Sequence, residues 1–513
     1  MGGPIALVRP AHGQPMAWLR RADTSDASNM KDHVKILPSA LSLSAMIRLT
    51  AAAAAAFLLA GCASFSNDGG FDKVSELTKE RTGQAAKWQR TSSDSESAQK
   101  RASEILAAPL TADSAVELAL LNNPGLQASY ADLGIAEADL VRAGRLANPT
   151  FSFGRLSGGG VTEIDRSIMF NVLGLLTIPM ATEVEQRRFE QAQYQAAATT
   201  VGLAADTRKA YFSAVASQDL VKYYQRVREA ADASNELARR MVRAGNFNKL
   251  AQLRQQAFYA DATSQLARAQ HQATAERERL IRLLGLSADR SALQLPDRLP
   301  DLPKEPLEPK DAEQTAMDKR LDVQMAKQST EATAKSLGLT KATRFVNALH
   351  VGYANKSQTG EERENGYEIE LELPIFDFGS ARAARAEAVY SQSLQRTAEV
   401  AVNAQSEVRE SYSAYRTAYE LARHNRDEVV PLKKRISDEN LLRYNGMLIG
   451  VFELLADSRE QIRSVTDYIE SLRDFWIAET RLQTALTGRS PGEDGAPSRP
   501  AANSSTSGGE AVH

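Results

Sequence analysis

From Tyr367 to Leu373 hydrophobic and polar positions alternate without a break. Tyr367, Ile369, Leu371 and Leu373 fall on one side of an extended chain, and Glu368, Glu370 and Glu372 on the other, because successive strand side chains face opposite ways. The pattern predicts a strand with one oily and one acidic face. Pro374 ends it, since proline lacks a ladder donor, and from Ser380 an Ala/Arg/Glu-rich run with helical spacing begins. A weaker copy lies upstream: Ile168, Phe170 and Val172 alternate with Ser167, Met169 and Asn171, with Pro179 in the place of Pro374 and Arg187 in the place of Arg382. The chain reads as a duplication.

Taken in order, residues 109–295 form the first repeat, with helices, a hairpin at about 150–178 and a pair of helical arms at about 180–285. Between Met180 and Gln294 there is no proline, and apolar positions such as Phe212, Ala216, Leu220 and Tyr223 recur at threes and fours, the seam of a coiled coil. A first arm of some sixty residues would be about 90 Å long. The turn at Gly245, Asn246 and Phe247 sends the chain back. Residues 296–310 are a proline-rich linker, and 311–488 repeat the order, with a hairpin at about 347–374 and arms at about 380–487 that turn at Gly446, Met447, Leu448, Ile449 and Gly450. Pro431 should kink or restart the second long arm. Residues 489–513 read as a disordered tail. Gly158-Gly159-Gly160 lacks the spacing of a phosphate loop and reads as a hairpin tip.

Composition sharpens this picture. Net charge is -2, so nothing calls for a polyanionic partner such as nucleic acid. Hydrophobic residues are 43% but aromatics only 6%, which suits closely packed helices. Residues 1–61 read as a leader and signal: Arg48 precedes an apolar run to Leu59, too short to span as a helix of roughly 20 apolar residues, ending in Leu59-Ala60-Gly61-Cys62. Residues 62–108, polar and with little apolar period, read as a tether that lies against something else. Cys62 is the single cysteine, so no internal disulfide forms. The histidines form no metal-ligand cluster and no triad or phosphate cradle is visible, so neither an enzyme, a cofactor nor a bound metal is expected.

Four strands with apolar faces could not stand in a bilayer alone, because open edges leave backbone groups unpaired and about eight strands make the smallest filled barrel. The expected fold is mainly α with a membrane β-barrel portion. The duplicated units, the Pro374-Ile-Phe-Asp-Phe-Gly379 junction with Arg382, Asn122-Asn-Pro-Gly-Leu126 and Leu-Ala-Gly-Cys62 together resemble the TolC-like outer-membrane efflux factors, in particular their lipid-anchored branch. The resemblance covers roughly residues 105–488. It departs from the family at Val184, where the junction glycine would stand, and at both turns.

The resemblance implies a homotrimer with a 12-stranded barrel continuous with a periplasmic helical tunnel. It implies a lipid anchor at Cys62 in the outer membrane, a periplasmic adaptor protein and an inner-membrane pump as partners, and passive exit of small molecules such as drugs or metal ions. On this reading Glu368, Glu370 and Glu372 line the lumen, and Gly245, Asn246, Phe247 and residues 446–450 are adaptor-contact tips, with Phe247, Met447, Leu448 and Ile449 exposed for docking. Asp427, Glu428, Asp438 and Glu439 are gate candidates, and Pro179, Pro374, Gly379 and Arg382 mark the strand-to-helix junctions. The alternatives are a type I secretion duct and, in a different class, a periplasmic coiled-coil lipoprotein with no barrel.

Overall fold

A computed structural model describes residues 64–286, 293–346, 348–372 and 375–490. Its elements run α1 Phe71–Thr82, α2 Ser92–Leu106, α3 Ala112–Asn122, α4 Pro124–Ala143, β1 Thr150–Gly158, β2 Val161–Asn171, α5 Val172–Arg243 and α6 Lys249–Leu284. After the linker come α7 Ala312–Lys319, α8 Leu321–Ala342, β3 Leu349–Gln358, β4 Glu364–Leu371, α9 Ser380–His424, a π-helical turn Asn425–Val429, α10 Val430–Asn445 and α11 Val451–Thr487. Short helix, longer helix, hairpin, long arm and returning arm thus occur twice. The hairpins join in one antiparallel sheet of order β1-β2-β3-β4.

Local chemistry sets the breaks. The Thr111 side chain accepts from the Ser114 N–H in a capping box that starts α3. Asn123 caps α4 with Pro124 in its first turn. The Asn122 and Asn123 amides also donate to the carbonyls of Gly285 (2.8 Å) and Leu283 (2.9 Å), satisfying the orphan end of α6. Gly285, at φ 67, closes on this turn so tightly that a Cβ would lie 2.4 Å from the Asn122 carbonyl oxygen.

The main core forms where α3, α5, α6, α9 and α11 meet. Phe212 stacks on Trp476 at 5.4 Å, and Phe475 packs against Tyr415 and Tyr419. The same rings strap down the proline linker. The Leu307 N–H donates to the Tyr415 hydroxyl (2.8 Å), while the Tyr419 hydroxyl and the Trp476 indole donate to the carbonyls of Lys304 (2.8 Å) and Pro300 (3.1 Å). Backbone groups that an extended segment cannot pair internally are thereby satisfied. A second core packs Phe71, Val74 and Tyr130 against Phe189 on α5.

The region read as a tether is helical: it carries α1 and α2, the latter started by a Thr91–Asp94 capping box, and Phe71 and Val74 dock on α5. Its apolar positions were too sparse to register as periodic. Pro179 is not a strand-end residue: β2 stops at Asn171, whose side chain accepts from the Gly174 N–H (2.7 Å), and Pro179 lies inside α5. That cap turns the run Val172–Leu176 into helix, so α5 reaches 72 residues, about 108 Å. Among the described residues no helix is long and apolar enough to cross a membrane, which says nothing of a β-barrel.

Where α8 begins, Arg320 is 1% exposed. It donates to Asp322 (2.5 and 2.9 Å) and Glu407 (2.8 Å), and Ser490 caps both carboxylates. A buried pair stripped of one partner loses several kcal/mol because the other charge stays uncompensated. Arg320→Ala should therefore cost about 3–5 kcal/mol, read as a lowered guanidinium midpoint in detergent, and an unchanged midpoint would refute the triad's role. Burial also raises the Glu479 carboxyl above its usual 4.5, against the opposing charge of Arg208. Such a group contributes most below 4.5 and loses its contribution as pH rises through the raised value. Glu479→Gln should accordingly flatten the decline of the melting temperature above pH 4.5, and an unaltered pH profile would contradict the assignment.

Candidate functional site: a two-faced sheet and the arm tips

Register assigns every strand residue to a face, because directly opposed residues in antiparallel strands point the same way. One cross-strand row is Phe151, Ile168, Tyr353 and Tyr367, the next Phe170, Val351 and Ile369, and the next Leu349 and Leu371. Beyond this apolar band, toward the hairpin ends, the same face turns polar. There Arg166 donates to Asn355 (3.0 Å), and both Asn355 and the Tyr353 hydroxyl donate to Asn365 (2.8 and 2.7 Å). Tyr367 is 89% exposed and Ile369 69%. An apolar band this open to solvent demands a cover.

The opposite face carries Glu163, Asp165, Glu364, Glu368 and Glu370, with Lys356 paired to Glu163. Glu368 stands opposite Gly352, and Glu370 opposite His350, with Nδ1 3.8 Å from its carboxylate. Glu372 lies just past β4, its N–H donating to the Ala348 carbonyl (3.2 Å). Glu163, Asp165 and Glu364 join this face although the sequence reading singled out only the β4 glutamates. The alternation of β2, continued back past Ser167, would have found the first two.

The junction below β4 converges on one backbone carbonyl. Gly379, at φ 71, approaches so closely that a Cβ would lie 2.5 Å from the Arg344 carbonyl oxygen, and Arg382 donates to that oxygen at 3.5 Å. Asp377 accepts from the Gly379 N–H (2.9 Å). The chain leaving the sheet is thus tied to the chain entering it. Pro374 and Cys62 lie outside the described residues. The first copy is built differently: Val184 is buried, and Arg187 pairs with Glu190 (3.0 Å) and with Glu331 of α8 (3.2 Å).

At the far end the two tips are one turn in two sequences. In the first, the Ala244, Gly245 and Asn246 N–H groups donate to Arg240, Val242 and Met241. In the second, Gly446, Met447 and Leu448 donate to Leu442, Tyr444 and Arg443. Gly245 (φ 76) therefore corresponds to Met447 (φ 59), not to Gly446. An alignment of glycine with glycine would misplace the register by one residue. Met447 and Leu448 are 93% and 77% exposed. Phe247 and Ile449, expected to be exposed, are half-buried, and Phe247 lines a cavity between the arms. The four gate candidates separate. Asp427 and Glu428 sit in the π turn, bonded to Arg426 (2.7 Å) and close to His424 (3.3 Å). On α10, nearer the tip, Glu439 pairs with Arg443 (3.2 Å) and Asp438 is exposed. Arg426 holds the Asp427 carboxyl below the usual range.

Paired helical arms continuous with a small two-faced sheet thus occur in duplicate. Residues 178–286 match the family model described as Outer membrane efflux protein. Among solved structures the chain is similar to a membrane protein from Pseudomonas aeruginosa (18% identity, TM-score 0.63, covering 73% of this chain and 93% of that one). It is also similar to the outer membrane protein VceC from Vibrio cholerae (15%, 0.62, 74% and 96%) and to the outer-membrane channel OprN (19%, 0.62, 80% and 95%). No match was found among the curated proteins. The resemblance to the outer-membrane efflux factors thus holds, in sequence over most of the first pair of arms and in fold over most of the chain.

A left-handed backbone costs an L-residue roughly 1–2 kcal/mol that glycine escapes. Gly245→Ala should destabilise the first tip and Met447→Gly should stabilise the second, each by about 1 kcal/mol. Hydrogen exchange at Asn246 and Leu448 reads both, and equal protection in parent and variant would overturn the equivalence.

Proposed function

We propose that the protein is the outer-membrane exit duct of a tripartite export system, passing small molecules such as drugs or metal ions without catalysis. The observation that carries this reading is the sheet. It has an apolar band on one face and carboxylates on the other, and β1 and β4 are its two open edges. In hydrocarbon an unpaired edge costs several kcal/mol per backbone group. Three copies joined edge to edge, β1 to β4, give a 12-stranded barrel that removes every edge. The apolar band then meets lipid, and Glu368 and Glu370, with Glu372 at the inner end, line the water-filled lumen.

The long arms carry the duct into the periplasm. Their tips present Met447 and Leu448, apolar and outward, as the surface for a periplasmic adaptor that links the duct to an inner-membrane pump. Lipid on Cys62 anchors the chain beside its barrel. A periplasmic scaffold has no use for a sheet with an exposed oily face, which favours the duct over that alternative.

The decisive experiment runs the detergent-purified protein heated and unheated on a gel and records conductance from the same sample. A heat-labile trimer that forms pores supports the duct; a monomer with no conductance refutes it. Three chains would place rings of carboxylates in the lumen, so Glu370→Lys should shift the reversal potential toward anions in a salt gradient, and an unmoved potential would remove Glu370 from the lumen. Leu448→Glu should abolish export while leaving trimer and conductance intact, because it alters only the tip; undiminished export would exclude this tip from docking.

A further inference from the structure

Next to the tips, the two pairs of arms do not close on each other. Above, they are joined by the Phe212–Trp476 stack. Lower down, the shared core shrinks to Val227, Ala231, Phe258 and Ala262, touched from α11 by Ile462. Below that contact the facing positions are small, Ala230, Ser234 and Ala238 on α5 and Ser458 on α11, and a cavity of about 480 Å³ remains. Its walls are apolar, with Val227, Met241, Phe258 and Ile462 among them. The Ser234 hydroxyl donates to the Gln255 side-chain carbonyl across the seam at 2.9 Å. Arg226 is the single charged side chain of the lining, solvent-exposed, and Gln461 adds an amide.

The volume falls in the range of sites for drug-sized molecules, which are mostly apolar with a few polar groups that fix orientation. A cation without a carboxylate in the same lining selects for negative charge. We propose that this cavity binds an aromatic organic anion of drug size, its rings against Phe258 and Ile462 and its charge on Arg226. All the lining belongs to one chain, so binding needs neither the trimer nor transport. A bound molecule bridges α5 and α6 to α11 and so fastens together two arm pairs that here share few contacts.

Titration calorimetry with anilinonaphthalene sulfonate and its uncharged analogue N-phenylnaphthylamine, into the detergent-purified full chain with matched micelles subtracted, tests this. The parent should show one saturable site per chain for both probes. Arg226→Gln, a change at an exposed position, should weaken the sulfonate about ten-fold, the loss of one charge-assisted contact, and leave the uncharged probe unchanged. Ala230→Trp and Ser458→Trp fill the cavity from opposite walls and should abolish both, with helical circular dichroism and melting retained. The proposal falls if no saturable heat exceeds that of the micelles. It also falls if Arg226→Gln affects both probes alike or neither, or if a folded tryptophan variant binds as the parent does.

Discussion

A helix of 72 residues, like most helices in proteins, draws most of its stability from what packs along it. In this chain the larger of two cores along it lies where Phe212, Trp476, Phe475, Tyr415 and Tyr419 meet. The connections between the repeats gather around that core. The linker between the repeats is strapped to it by two hydroxyls and an indole. The end of α6 is held beside it by Asn122 and Asn123, and the start of α8 by the buried Arg320 triad. Polar groups that would otherwise be orphaned where the helices begin and end are satisfied there, so the repeats are joined by hydrogen bonds as much as by hydrophobic contact.

Much of this was legible in the sequence, and the failures have physical reasons. The alternation from Tyr367 to Leu371 could only be a strand with two unlike faces, and the long proline-free runs could only be helical arms. The return strand was drawn too long because Pro179 looked like a terminator, whereas the signal that mattered was Asn171, a cap whose side chain reaches the Gly174 N–H. Glycine is the expected left-handed residue at such a tip, yet the second tip places Met447 there. Helices α1 and α2 escaped notice since few apolar positions suffice for a short helix that docks on a neighbour, α1 on α5 and α2 on α3. Which tip side chains fold inward, as Phe247 does, depends on the neighbouring arm and no local pattern encodes it.

The sheet is the place where local pattern and distant contact agree most fully. Each strand alternates, and the register carries that alternation across four strands without a slip, from Phe151 to Tyr367 on one face and from Asp165 to Glu364 on the other. A shift of one residue in any pairing would bring carboxylates into the oily row. The junction glycine Gly379 secures the last strand from below, since no larger residue could approach the Arg344 carbonyl as it does.

The lower part of the second long arm has a different character. From the π turn through α10 no described residue is buried, whereas the upper part of α5 is lined with buried positions. Pro431 removes a backbone donor at the boundary, and the π turn absorbs the resulting change of pitch. Resistance to opening therefore grades along each arm, being highest at the aromatic crossing and lowest toward the tip. A molecule built in this way is stiff where its repeats are joined and soft at its far end, so thermal energy is spent as fraying of the second arm's lower part while the sheet and its junctions keep their shape.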